Sequence, residues 1–321
     1  KKQLGLQLGY AADFKTYDEL FDAFKKQMKY FIDVKIQGSN IIEKIFADCM
    51  PAPFLSILTN DCIAKGKDYN AGGARYNTKY LQGVGIGTIT DCLAAVKYNV
   101  YDKKNFTMDE LMAALDDNFI GHERILNLVK NHSPKYGNDD EYADEIMKQV
   151  FEYYQGEVTG RPNMLGGMYR VNMLPTTCHV YFGEVMMASA NGRLAHVPVS
   201  EGISPEKGAD VNGPTAVIKS CAKMDHLMTG GTLLNQKFTP SVVAGEEGLN
   251  QMANLIRSYF NMDGHHIQYN FIDRQTLLNA QKYPEEYKDL IVRVAGYSDH
   301  FRNLSKALQD EIINRTEQSF N

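Results

Sequence analysis

Two observations on the sequence predict a globular α/β protein. In the last third of the chain, apolar segments with strand character at 233–238, 266–272 and 289–294 alternate with helical patterns at 246–260 and 273–281. The composition is that of an ordinary globular protein, with 44% hydrophobic and 23% charged residues. A chain of 321 residues is long enough to bury one large core or two smaller ones.

The first third of the chain is predicted to be mostly helical. Thr16-Tyr17-Asp18-Glu19 has the pattern of a capping box, which predicts the start of a helix. This helix is expected to end before Pro51. Apolar residues then recur at helical spacing, namely Leu20, Phe24, Met28 and Phe31. A second capping box, Thr107-Met108-Asp109-Glu110, predicts a helix that runs to about Phe119.

In the middle third, a Pro-, Gly- and Asp-rich break at 133–140 precedes a predicted helix at 141–154. Residues 174–182 are predicted to be a turn that leads into a strand. On a strand, the adjacent residues Cys178 and His179 would point to opposite faces and could not share a proton. Cys178 is therefore interpreted as a structural thiol.

Several other sites are disfavoured by residue spacing. The glycines of Gly83-Val84-Gly85-Ile86-Gly87 do not have dinucleotide-loop spacing, so we expect close backbone packing at a helix start. His265-His266 has no third ligand at fixed spacing, and the five cysteines form no CxxC pair, so no bound metal is expected. Unpaired cysteines favour a reducing cytoplasm.

Charge and hydropathy exclude further classes of partner. The net charge of −5 disfavours nucleic acid and anionic membranes. No run approaches the roughly 18 apolar residues of a membrane span. We therefore expect no nucleic-acid or membrane partner.

One nine-residue string, Arg293-Val294-Ala295-Gly296-Tyr297-Ser298-Asp299-His300-Phe301, follows the apolar run at 289–294. A helical tail is predicted after it, at 304–319. Taken alone, Gly296 would be a turn residue with a permissive φ. A glycine can also hold an unpaired electron at Cα, since the spin delocalises over the amide nitrogen and the carbonyl and no Cβ clashes when the centre flattens.

The full string resembles the signature of the glycyl radical enzymes. Their dehydratase and lyase branch is favoured, and within it the enzymes that dehydrate trans-4-hydroxy-L-proline. The supporting strings are Lys65-Gly66-Lys67-Asp68-Tyr69, Gly72-Gly73-Ala74-Arg75-Tyr76-Asn77-Thr78, Leu174-Pro175-Thr176-Thr177-Cys178-His179, Ser200-Glu201-Gly202-Ile203-Ser204-Pro205 and Gly230-Gly231-Thr232-Leu233-Leu234-Asn235-Gln236.

The resemblance implies the C-terminal part of a ten-stranded α/β barrel. Residues 1–199 would belong to the barrel domain and 200–321 to the glycine radical domain, with Gly296 as the radical residue on a buried loop. Family members also carry a Gly-Cys-x-Glu loop that supplies a thiyl radical and a general base. No such string occurs in this chain, which starts in what looks like mid-domain. We therefore expect the rest of the polypeptide, or another chain, to supply that loop.

The resemblance also implies a reaction and partners. The product would be 1-pyrroline-5-carboxylate, formed by hydrogen abstraction at C5 of the substrate and loss of the C4 hydroxyl as water. An activating enzyme with S-adenosylmethionine and an iron–sulfur cluster would generate the radical, and this chain would hold no metal or organic cofactor. A homodimer is expected.

Two residues remain open in this comparison. Thr176 is carried over as a polar contact to the substrate, although its hydroxyl could equally bond to its own turn. Asp299 stands where the family usually has a small residue, which puts the packing after Gly296 in question.

Two alternatives stay open for the function. One is another glycyl radical reaction, such as a diol dehydratase or a C–N lyase. The other is a non-catalytic spare part that replaces a damaged radical segment. The residues before about Ser200 argue against the second alternative, because a spare part needs only the radical segment.

Overall fold

The computed structural model describes residues 3–320 and divides them into two compact units. The first unit comprises the residues up to 81 together with 152–172. The second comprises 82–151 together with the residues from 173 onward. The boundary predicted between 199 and 200 separates the barrel domain from the glycine radical domain and does not coincide with the division into these two units. It stays a prediction.

The elements follow one another in a mixed α/β order. The helices are α1 (Tyr17–Cys49), α2 (Pro53–Leu58), α3 (Cys62–Lys65), α4 (Ile86–Val96), α5 (Met108–Asp116), α6 (Glu123–Asn131), α7 (Glu141–Val158), α8 (Cys178–Val185), α9 (Pro214–Ala222), α10 (Gly245–Asn261), α11 (Arg274–Lys282) and α12 (Lys306–Asn314). The strands are β1 (Lys79–Gln82), β2 (Tyr169–Met173), β3 (Thr229–Thr232), β4 (Leu234–Phe238), β5 (Ile267–Phe271), β6 (Ile291–Arg293), β7 (Ser298–His300) and β8 (Glu317–Gln318).

The first unit is built on α1, which begins where the sequence predicts. The Thr16 side chain accepts a hydrogen bond from the Glu19 amide (3.2 Å), and the helix ends at Cys49, before Pro51. Its fully buried residues are Phe21, Ile32 and Ile36. Leu20, Phe24 and Met28 are half-buried and Phe31 is exposed, so the apolar residues of the predicted helix contribute to its partly buried surface.

The second unit contains a parallel sheet in the order β5-β4-β8. Leu234 lies opposite Ile267 and Phe238 opposite Phe271, and α10 provides the crossover between these two parallel strands. Strand β8 pairs with the other edge of β4, also in parallel. The predicted α/β class is confirmed by this strand–helix–strand unit.

Strands β6 and β7 form an antiparallel hairpin in which Arg293 lies opposite Ser298. Apolar residues of the hairpin enter a core cluster with α11 and α12. The cluster comprises Val180, Leu233, Ile272, Leu277, Ala280, Val292, Val294, Ala295, Phe301, Leu304, Leu308, Ile312 and Ile313. The segment on either side of the hairpin turn is thus held by hydrophobic burial.

Two predicted elements differ from the structure. The helical tail predicted at 304–319 ends with α12 at Asn314, and Glu317–Gln318 form strand β8. The residues from Cys178 to Phe182 lie in helix α8, not in a strand. A short apolar run does not distinguish a buried strand from a buried helix by periodicity, and this one is only eight residues long. The inference about Cys178 and His179 still holds, because consecutive helical residues also point in different directions.

The glycine run before α4 has the role that the sequence predicts. Gly85 caps α4 with a φ of +80°, and a Cβ on Gly87 would lie 2.7 Å from the carbonyl oxygen of Ser204. Backbone packing at the helix start therefore requires glycine at position 87.

Candidate radical site

Gly296 occupies the turn of the β6–β7 hairpin. Val294 N–H donates to the carbonyl of Tyr297 (2.8 Å), so Ala295 and Gly296 are the two central residues of the turn. Gly296 has a φ of +86°, which a type II turn requires at its second central position. The backbone conformation alone therefore favours glycine here.

The space around Gly296 is open. No heavy atom of residues 3–320, its chain neighbours aside, lies within 4 Å of the position that a Cβ would take. One of the two Cα hydrogens points in that direction.

Gly296 is exposed, whereas the resemblance implied a buried loop. Val294 and Ala295 are 0% and 2% exposed because they pack into the core cluster, but the backbone turns outward immediately after them. Within residues 3–320, Val294 and Ala295 are therefore buried, whereas Gly296 at the tip of the turn is uncovered. Burial of the tip requires atoms from outside residues 3–320.

Two buried amide side chains of β5, those of Gln268 and Asn270, form hydrogen bonds to the hairpin. Gln268 Oε1 accepts hydrogen bonds from Gly296 N–H (3.3 Å) and from Nε and Nη2 of Arg293 (3.2 and 2.9 Å). Asn270 accepts from Arg293 N–H and donates to the Arg293 carbonyl, both at 2.8 Å. Because both side chains are 6% exposed, these bonds are shielded from water.

A buried ion pair supports the same strand from α12. Arg315 Nη2 donates to the Val294 carbonyl (2.8 Å) and to Glu311 Oε2 (2.9 Å), and Arg315 Nε donates to Glu311 Oε1 (3.2 Å). The guanidinium therefore links the strand before Gly296 to the last turn of the helix.

Glu311 is the centre of a wider charged cluster. Its Oε1 lies 3.6 Å from His179 Nε2 and 3.8 Å from Lys207 Nζ. Burial raises the pKa of Glu311, but Arg315, His179 and Lys207 outweigh it and hold the pKa well below its ordinary value. Glu311 is therefore a carboxylate at neutral pH.

Thr176, the predicted substrate contact, is exposed at the start of the turn before α8. Its hydroxyl donates to the Pro175 carbonyl (2.7 Å), which is the local bond considered as the alternative. Its φ is +52°, an uncommon value for a β-branched residue. Backbone strain of this kind clusters at functional sites, which is consistent with a substrate contact. The role of Thr176 stays a prediction.

The segments that carry Thr176 and Gly296 meet at one core. Leu174 packs against the core cluster to which Val294 and Ala295 belong, and Val180 is a member of it. Gly231 also lies against Leu174, since a Cβ on it would be 2.8 Å from Leu174 Cδ1. A common core therefore carries both predicted site segments.

Asp299 is accommodated without a clash. Its Oδ1 accepts hydrogen bonds from His300 N–H (2.7 Å) and Asn303 Nδ2 (3.5 Å). The carboxylate thus fixes the start of the turn after β7.

Sequence reasoning missed Gln268, Asn270 and Arg315. The one available signal was the alternation of polar Gln268 and Asn270 with Ile267, Tyr269 and Phe271. Such alternation ordinarily indicates a solvated strand face, yet here the polar face is the buried one.

Residues 3–320 contain neither a cluster of metal-ligating side chains nor a membrane-spanning helix. Among residues 3–320, no group of three or more His, Cys, Asp or Glu side chains is placed to hold a metal ion. In the same range, no helix is long and apolar enough to span a bilayer.

Comparison with known proteins places these features in a family. The family model described as "Pyruvate formate lyase-like" matches residues 1–183, and the model described as "Glycine radical" matches residues 199–302. The chain is 69% identical to trans-4-hydroxy-L-proline dehydratase of Clostridioides difficile, over all of this chain and 41% of that protein. It is 38% identical to (2S)-3-sulfopropanediol dehydratase of Klebsiella oxytoca, over 99% of this chain and 39% of that protein.

Solved structures of such enzymes share the fold of this chain. The hydroxyproline dehydratase of Clostridioides difficile, crystallised with trans-4-hydroxy-L-proline bound, matches with a TM-score of 0.97, over 100% of this chain and 41% of that chain. The B12-independent glycerol dehydratase of Clostridium butyricum matches at 43% identity with a TM-score of 0.96, over 99% of this chain and 41% of that chain.

This chain thus spans about two fifths of the length of these relatives. The family model covers more than half of the chain, and the glycine radical model includes Gly296 within its range. The chain therefore belongs to the pyruvate formate lyase-like family of glycyl radical enzymes.

Proposed function

We propose that this chain carries the glycyl radical of an enzyme that removes water from trans-4-hydroxy-L-proline, giving 1-pyrroline-5-carboxylate. The observation that carries the proposal is the 69% identity to a hydroxyproline dehydratase along the whole chain. Relatives named for other substrates, including the glycerol dehydratase, are 35–43% identical to this chain. The substrate is therefore argued from similarity.

In the proposal, Gly296 is the residue that stores the radical. Its Cα lies at an open turn, its φ suits glycine, and the strand before it is fixed by the core cluster and by Arg315. Generation of the radical by a separate activating enzyme requires access to a Cα hydrogen, and its storage requires that the tip of the turn be covered. Groups outside residues 3–320 would supply that cover.

The rest of the reaction requires groups outside these residues. A hydrogen atom leaves C5 of the substrate, and the C4 hydroxyl leaves as water together with a proton that balances the one lost by the ring nitrogen as the C5=N bond forms. The abstracted hydrogen atom then returns to the product at C4. The cysteine and glutamate that serve this exchange are proposed to belong to a Gly-Cys-x-Glu loop outside this chain. Thr176 is proposed to contribute a polar contact to the substrate once its hydroxyl leaves the Pro175 carbonyl.

The test is anaerobic EPR of the assembled enzyme after activation. The wild-type enzyme should show a doublet from the one remaining Cα hydrogen of Gly296, and the Gly296→Ala variant should show no glycyl signal and no turnover. Hydroxyproline should be dehydrated, while glycerol and 1,2-propanediol should not. A glycyl signal that survives in Gly296→Ala would refute the site, and turnover of a diol in place of hydroxyproline would refute the substrate.

A further inference from the structure

One buried side chain contacts the backbone of Gly296 directly. Gln268 lies on β5 with 6% of its surface exposed, and its Oε1 receives the Gly296 N–H at 3.3 Å. The other hydrogen bonds described above hold the hairpin through Arg293 and Val294, whereas this bond ends on Gly296 itself.

The orientation of the Gln268 amide is determined by its neighbours. Three donors converge on one atom, namely Gly296 N–H and the Nε and Nη2 groups of Arg293. Only the oxygen end of the amide can accept them. The opposite end, Nε2, donates to Asn235 Oδ1, which fixes the side chain from behind.

An acceptor at this position affects a Cα radical in two ways. The spin is stabilised by electron donation from the amide nitrogen, and a hydrogen bond from that N–H to a carbonyl oxygen increases the electron density on the nitrogen. The same bond also orients the Ala295–Gly296 peptide plane, and delocalisation requires this plane to align with the flattened Cα.

We propose that Gln268 is the positioning residue of the Gly296 radical, which it holds through the Gly296 N–H. The role rests on the proposed function, since it has meaning only where Gly296 carries the radical. The contact itself is a property of the protein before activation, so it can be tested separately.

The first experiment measures amide hydrogen exchange in the protein without activation. In Gln268→Leu, the exchange rate of Gly296 N–H should rise about fivefold to tenfold relative to that of Val294 N–H, the equivalent of one hydrogen bond. Val294 is the internal reference because its amide bonds to Tyr297 and not to Gln268. An unchanged ratio, or an equal rise at both amides, overturns the proposal.

Two further variants separate the hydrogen bond from general loosening of the fold. Gln268→Glu keeps an oxygen acceptor beside Arg293 and should change the exchange ratio by less than about twofold. Gln275→Leu removes an exposed glutamine of α11 that bonds to Asn279, and it should leave the ratio unchanged. A rise in Gln275→Leu equal to that in Gln268→Leu contradicts the assigned contact.

The second experiment follows the radical by anaerobic EPR in the activated, assembled enzyme. The half-life of the signal should fall about fivefold or more in Gln268→Leu and should be kept in Gln268→Glu and Gln275→Leu. A wild-type half-life in Gln268→Leu overturns the positioning role. If the wild-type enzyme shows no glycyl signal, the proposed function fails, and the role fails with it even where the exchange experiment establishes the contact.

Discussion

At Gly296, backbone geometry and the proposed radical chemistry require glycine for separate reasons. The φ of +86° disfavours a side chain, although the surrounding space would admit one. Gly296→Ala should therefore cost about 1–2 kcal/mol of the free energy of unfolding and leave the fold intact. Chemical denaturation checks this, and a loss above about 4 kcal/mol would mean that the variant tests folding rather than chemistry.

Gly245 provides the matched control for that substitution. It is exposed, has a φ of +71°, and likewise has no atom of residues 3–320 within 4 Å of its Cβ position beyond its chain neighbours. Gly245→Ala should lose a similar amount of stability and keep the full EPR signal. Loss of the signal in both variants would assign the effect to strain.

The raised pKa of the buried Asp91 side chain predicts that the free energy of unfolding depends on pH. Burial raises its pKa to about 7, and neither Lys135 nor the hydrogen bond from Tyr136 N–H offsets this. Because the folded pKa exceeds the unfolded value, the stabilising proton is fully bound below about pH 4 and is lost as the pH rises through 7. The free energy of unfolding should fall across this window.

Asp91→Asn should remove that fall, because the asparagine does not ionise. Relative to wild type, the variant should gain on the order of 3 kcal/mol between pH 4 and pH 8, measured by urea unfolding at each pH. Asp109→Asn, at an exposed position on α5, should follow the wild-type curve. Parallel curves for Asp91→Asn and wild type would show that Asp91 does not take up this proton.

At the scale of elements, the Glu311–Arg315 pair joins α12 to the strand before Gly296. Both side chains are at least nine-tenths buried, so removal of one partner leaves an uncompensated charge and should cost about 3–5 kcal/mol. A double-mutant cycle with Glu311→Gln and Arg315→Leu should give a coupling energy above about 1 kcal/mol.

The control pair lies on the same helix. Lys306 and Asp310 are also spaced i,i+4, but their side chains are 77% and 41% exposed, so their coupling should stay below about 0.5 kcal/mol. Additive effects of Glu311→Gln and Arg315→Leu would contradict the argument that their burial makes the pair strong.

Elements with strong local signals were predictable from sequence. The Thr107 capping box opens α5 as predicted, since Thr107 and Glu110 exchange side-chain and backbone hydrogen bonds. The β4–α10–β5 unit has the pattern of the parallel crossover that it forms. Helix α8 was missed because its apolar run is short and tertiary packing, rather than periodicity, decides its conformation.

The support of the turn could not be predicted, because its contacts join distant parts of the sequence. Arg315 reaches Val294 across 21 positions, and Gln268 reaches Gly296 across 28. No spacing rule links such residues. The turn glycine was recognisable because its neighbours form a contiguous string, whereas the residues that hold it do not.

At the scale of the whole molecule, this chain is expected to be insufficient for turnover. None of its five cysteines stands in a Gly-Cys-x-Glu string. Residues 1–321 alone, supplied with activating enzyme, S-adenosylmethionine and hydroxyproline, should form no 1-pyrroline-5-carboxylate. Product formation, followed by mass spectrometry, would mean that one of these cysteines is catalytic.

Oxygen locates the radical most directly, because a Cα radical adds oxygen and the backbone then breaks at that residue. Air exposure of the activated enzyme should cut the chain at Gly296 and release a piece that begins near Tyr297, while unactivated protein should stay whole. Mass spectrometry of the large fragment reads the position of the break. Cleavage at another residue, or equal cleavage without activation, would contradict the assignment of the radical to Gly296.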